Sequence, residues 1–87
     1  MPADKIRQSV CSHVARILRV KREERGLSMR DLAHQAGLSQ AMISFVEREL
    51  RNPTLDTLLR IANVLEVDLA DVLRQAQKAP APIQKSK

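Results

Sequence analysis

Gln40, Ala41, Ser44, Phe45 and Arg48 lie within nine residues of one another. At the helical advance of about 100° per residue they share one side, and Ile43 and Val46 fall on the other. An amide, a methyl, a hydroxyl, an aromatic ring and a guanidinium suit the reading of base-pair edges, where donors, acceptors and thymine methyls alternate. They do not form a bond-breaking set. Ser44, His34 and Asp31 are present, but no glycine-rich phosphate loop, nucleophile elbow or metal-ligand spacing accompanies them. No catalytic residue and no enzyme is therefore expected. Cys11, His13 and His34 fall short of a zinc-ligand set, and one cysteine closes no internal disulfide. No metal and no other cofactor is expected.

Such a face works only if other elements hold it still. The stretch from Met29 to Arg48 reads MRDLAHQAGLSQAMISFVER. Its pattern is two short helices joined by Ala36-Gly37-Leu38-Ser39, the glycine-containing turn of a helix-turn-helix. Ser28 opens the first helix, its hydroxyl placed to accept from the amide of Asp31. Gly37 closes it, free to adopt a positive φ. Ser39 opens the second. Ala33 must be small where the next helix crosses, and Leu32, Ala36, Leu38, Ile43 and Val46 can all point inward.

Three further helices complete the reading. Ile6, Val10, Val14, Ile17 and Leu18 step by threes and fours toward the stop at Gly26. The spacing does not decide whether this first helix starts near Asp4 or near Ser12. Pro53 disfavours helical geometry at Asn52 and separates the next helix, which begins at Thr54 and carries Leu55, Leu58, Leu59, Ala62 and Leu65. The last begins at Asp68, with Leu69, Val72 and Leu73. The expected layout is an N-terminal extension over residues 1–11, continuous with the first helix if that helix starts early. A helix-turn-helix domain over 12–76 and a flexible basic tail over 77–87 follow. The fold class is all-α, five helices around one core.

The bulk numbers agree. Phe45 is the single aromatic among 87 residues, so the core must be aliphatic. No run of about 18 apolar residues suggests a membrane span, and the N-terminus lacks a signal-peptide pattern. The chain reads as cytoplasmic, associated with the nucleoid. Fifteen basic against ten acidic residues give +5. The excess sits mainly in residues 1–27, where seven basic side chains face three acidic ones. A polyanion suits that surplus.

The stretch from about Val14 to Leu73 resembles the lambda-repressor/Cro-like family, also called the xenobiotic-response-element (XRE) family. The resemblance rests on REERGLS (22–28), DLAHQAGLSQ (31–40), ISFVER (43–48), NPTLDTLLRIA (52–62) and LEVDLADVL (65–73), about 60 of 87 residues. It implies a compact five-helix domain that sets its third helix into the DNA major groove, commonly as a dimer on a two-fold operator. It implies base contacts from Gln40, Ala41 and Ser44. Phe45, at a further outward position where the family often has a polar residue, is a candidate base contact to a thymine, the alternative being that it folds back on Met42 or Leu50. Ser28, Arg30, Arg48, Arg51 and Asn52 become candidates for phosphate contact. Arg22 and Glu47 match a pair that ties the first helix to the third.

The expected partner is double-stranded DNA, bound by a homodimeric transcriptional regulator acting as a repressor on a palindromic operator. Val67, Leu69, Val72 and Leu73 are the candidate dimer interface, more apolar surface than a short terminal helix needs for itself. The alternative for these four is that they finish the monomer core. The alternative function is an antitoxin or adaptor that binds a protein partner with the same fold. No small-molecule ligand is evident, and these residues leave no segment over for a sensing domain.

Overall fold

The computed structural model describes residues 2–79, with side chains from Asp4 onward. Five helices occupy them: α1 (Pro2–Glu24), α2 (Met29–Ala36), α3 (Gln40–Glu47), α4 (Leu55–Leu65) and α5 (Leu69–Lys78). No strand occurs among the described residues. Residues 77 and 78, expected in the basic tail, belong to α5, and that tail from residue 80 on lies outside the described residues.

Each start after the first has a side-chain cap, because the first amides of a helix have no partner inside it. Ser28, Ser39, Thr54 and Asp68 accept from the amides of Asp31, Met42, Thr57 and Ala70. At α2 the cap is reciprocal, the Asp31 carboxylate taking the Ser28 amide in return. Helix α1 takes in both candidate starts, Asp4 and Ser12, as one run of 23 residues.

The core gathers Val14 and Leu18 of α1, Leu32 and Ala33 of α2, and Ile43 of α3. From the C-terminal half come Ile61, Ala62 and Leu65 of α4 with Leu69, Val72 and Ala76 of α5. Burying a side chain such as Leu32 or Leu65 contributes about 2–3 kcal/mol. Helix α1 packs on α3, α4 and α5, while α2 packs on α3 and α4.

Two apolar assignments change. On α4 the inward stripe runs through Leu58, Ile61, Ala62 and Leu65, whereas Leu55 and Leu59 stay 64% and 50% exposed. A helix face about a third of a turn wide cannot bury positions 55 and 59 together with 58, 61, 62 and 65. On α5, Leu69 and Val72 are only 8% and 2% exposed, spent on their own core, and half-buried Val67 and Leu73 pack against it. Leu69 and Val72 are therefore spent on the core, and Val67 and Leu73 keep only part of their surface exposed. Helix α1 lies against α5 and covers the side that the sequence left open. Ile6, near the start of α1, is exposed.

Candidate nucleic-acid interface

Helix α3 is held by its inner side. Ile43, Val46 and Glu47 are buried. Opposite them Gln40, Ala41 and Arg48 are exposed, with Ser44 and Phe45 half-buried. Ser39 caps the N-terminal end, its Oγ accepting from the Met42 amide at 3.0 Å. A helix of eight residues has little stability of its own, so these attachments fix its position.

The firmest attachment is ionic. Arg22 Nε donates to Glu47 Oε2 at 2.6 Å and Nη2 donates to Oε1 at 3.0 Å, a bidentate pair. Nη1 donates to the Leu27 carbonyl at 2.6 Å. One guanidinium thus joins α1, the turn before α2, and α3. The two residues are 8% and 9% exposed, and such a pair is tolerated inside only because its polar atoms are matched. Hydrogen bonding to Glu47 raises the Arg22 pKa above its ordinary value. Desolvation opposes that rise, and the Glu47 and Glu23 charges add to it.

The turn between α2 and α3 is set by Gly37, at φ 71°. Its amide, with that of Leu38, closes the end of α2 onto Ala33 and His34. Arg60 of α4 adds a second closure. Its Nη1 donates to the Ala36 carbonyl at 3.4 Å, while Nε is held by Asp56 at 2.9 Å. A Cβ at position 37 would lie 3.1 Å from that Nη1, so a side chain there would carry the cost of the positive φ and would push the end of the Arg60 side chain aside.

The candidate contact residues fall into two groups around α3. On one side an open concavity is lined by Arg30, Asp31, Ala33, His34, Leu38 and Gln40, bringing α2 and the start of α3 to one surface. Ser28, exposed, caps the same end of α2. On the other side, the chain leaves α3 through Glu49 at φ 60°, and the Leu50 amide donates back to the Phe45 carbonyl at 2.9 Å. That reversal returns Arg51 toward the helix, its guanidinium carbon 4.8 Å from the centre of the Phe45 ring. Exposed Asn52 follows. Arg48, at the end of α3, is exposed. Val67, Leu69, Val72 and Leu73 belong to the core region of α5 and its approach, and of the four Leu73 also lines a cavity shared with Arg51 and Asn52.

Three features of this surface have no counterpart in the sequence reading. His34 lines the concavity with Arg30 and Gln40, and its spacing of four from Arg30 is the signal that shows it on the same side of α2. Ser12 Oγ donates to Glu49 Oε1 at 2.6 Å, tying α1 to the turn after α3. No local pattern announces a bond between residues 37 positions apart. Leu50, Leu55 and Leu59 form the third feature, large apolar side chains left exposed in the loop after α3 and along α4.

This arrangement has close parallels in known proteins. The helix-turn-helix family model matches residues 18–72. An uncharacterized helix-turn-helix-type transcriptional regulator of Sinorhizobium fredii, y4dJ, is 33% identical over 75 residues, covering 86% of this chain and 92% of its own. Another such regulator, Rv0474 of Mycobacterium tuberculosis, is 46% identical over 56 residues, which is 64% of this chain but 39% of its own length. The chain therefore spans well under half of that regulator. Among solved structures, a mutant of the restriction-modification controller protein C.Esp1396I superposes with a TM-score of 0.71 at 32% identity. That superposition covers 79% of this chain and 90% of the controller protein.

Proposed function

The chain belongs to the helix-turn-helix family of XRE-type DNA-binding transcription regulators, not to an enzyme family, and from that premise we propose that it represses transcription as a homodimer on a palindromic operator. The observation that carries this reading is the division of α3. Its inner side is locked by Ile43, Val46 and the Arg22–Glu47 pair, and its outer side presents Gln40, Ala41 and Ser44.

In this reading α3 enters the major groove. Gln40 pairs with an adenine edge, Ala41 meets a thymine methyl, and Ser44 makes an adaptable hydrogen bond. Ser28 and Arg30 on one flank, with Arg48, Arg51 and Asn52 at the C-terminal end of α3 and beyond it, hold the phosphates and set the register of α3 without reading sequence. A short domain seated on the duplex excludes other proteins from it, and repression by occupancy is the simplest output.

One recognition helix reads too few base pairs to single out an operator. Two copies related by a two-fold axis, with their helices about 34 Å apart along the DNA, supply the missing information. The second copy is placed against exposed Leu50, Leu55 and Leu59 rather than against α5, whose apolar residues are already buried. Leu50 lies in the loop that carries Arg51 and Asn52, and Leu55 opens the helix that follows it, so this interface would sit beside the proposed phosphate contacts.

Selection of bound sequences from a random DNA pool is the test. The expected product is an inverted repeat, and Gln40→Ala should relax preference at one base pair per half-site by about 1–3 kcal/mol. Enrichment of nothing, together with co-purification of a protein partner, would favour an adaptor or antitoxin instead. Sedimentation should give a dimer that Leu59→Glu converts to monomer. A Leu59→Glu dimer would move the interface elsewhere.

A further inference from the structure

Phe45 lies next to the proposed base-reading residues, yet its ring is engaged elsewhere. The Arg51 guanidinium carbon stands 4.8 Å from the ring centre, inside the range of cation–π attraction. From this geometry we infer that Phe45 is a positioning residue, whose ring holds Arg51 for a DNA phosphate, and not a reader of bases. The inference rests on the DNA-binding reading above and assigns Phe45 to grip within it.

The backbone brings the two together. Six positions separate them, and they meet because the chain reverses immediately after α3. Glu49 takes the left-handed conformation, its amide donates to Val46 and that of Leu50 donates to Phe45. This is the hydrogen-bond pattern that ends a helix by folding the chain back over its last turn. The Ser12 hydroxyl fixes the Glu49 side chain from α1. The loop backbone is thereby placed, and the long Arg51 side chain remains to be ordered.

The ring, 4.8 Å from the guanidinium carbon, supplies that order. A guanidinium that offers its flat face to an aromatic ring keeps its in-plane N–H donors free, and those donors match the paired oxygens of a phosphate. Ordering the side chain before DNA arrives lowers the entropy lost on binding. Phe45 is the only aromatic residue in the chain, so no other side chain here can supply such a ring.

The experiment measures DNA affinity over a range of salt concentration for Phe45→Leu, Phe45→Tyr, Arg51→Ala and the Phe45→Leu/Arg51→Ala double variant. Each is read against the selected operator and against single-base-pair changes in it. Phe45→Leu should weaken binding to every sequence by about threefold to tenfold, leaving base preference unaltered. Phe45→Tyr, which keeps the ring face, should restore the affinity. In the Arg51→Ala background Phe45→Leu should have no further effect, and both Arg51→Ala proteins should share one salt slope, about one unit shallower than the unaltered protein's. Free Arg51 should show side-chain proton resonances displaced by the ring current, a displacement lost in Phe45→Leu and kept in Phe45→Tyr, which separates lost stacking from a misfolded helix. Binding by the unaltered protein with independent, multiplying effects of the two substitutions overturns the inference. So does loss of preference at a single thymine in Phe45→Leu. Failure of the unaltered protein to bind any DNA overturns the functional reading itself.

Discussion

Two arginines stand on either side of α3 and have opposite surroundings. Arg22, in the seam between α1 and α3, is nearly inaccessible and directs its donors to Glu47 and the Leu27 carbonyl. Arg51, in the loop between α3 and α4, is exposed, with its guanidinium carbon 4.8 Å from the centre of the Phe45 ring. A guanidinium buried against a carboxylate and a carbonyl holds the protein together. One held by its face keeps its edge for something outside. The same side chain becomes scaffold or grip according to which of its surfaces the fold uses.

The largest effect is expected at Glu47. Glu47→Ala leaves the Arg22 charge buried without its partner, and stability should fall by about 3–5 kcal/mol. In a domain of this size that lowers Tm by at least about 12 °C in thermal unfolding. A fall of 1 °C or 2 °C would mean that the seam is not held by charge. The pair should not weaken with pH in the usual working range. The partner raises the folded-state pKa of Arg22, so the stabilisation is complete below the ordinary arginine value and fades only as pH climbs past it.

A smaller effect is expected where the two regions are linked. Ser12→Ala removes the hydrogen bond from α1 to Glu49 and should cost about 0.5–1.5 kcal/mol in chemical denaturation. The smallest change in stability belongs to Arg51→Ala, within about 0.5 kcal/mol of the unaltered protein, as for most exposed positions. Its effect should appear in DNA binding, as a salt slope shallower by about one unit. An Arg51→Ala protein that melts as early as Glu47→Ala would erase the distinction between the two arginines.

Much of the scaffold was legible one residue at a time. Ser28, Ser39, Thr54 and Asp68 announce helix starts because a short polar side chain can satisfy an amide that the helix leaves open. Gly37 announces the turn because that backbone shape is costly for any residue with a Cβ. The outward side of α3 follows from periodicity alone, since Ile43 and Val46 can be buried together only with Gln40, Ala41 and Ser44 turned away. These are local matters, decided within four residues of chain.

Whether an apolar residue is spare is not local. Leu55 and Leu59 look like core on α4, and Leu69 and Val72 look like surplus on α5, yet the structure assigns them the other way round. The stripe that becomes core is the one another helix covers, and here α1 covers α5 while the outer side of α4 goes uncovered. The meeting of Phe45 with Arg51 likewise depends on a left-handed Glu49, a residue type that gives no warning of it. Sequence determined which segments are helical, where the four later helices start, and which residues α3 turns outward, because hydrogen bonding and periodicity act over a few residues. Tertiary structure decided which faces are spent on the core and which arginine is free to act, because burial is a property of two surfaces and each sees only one of them in the chain.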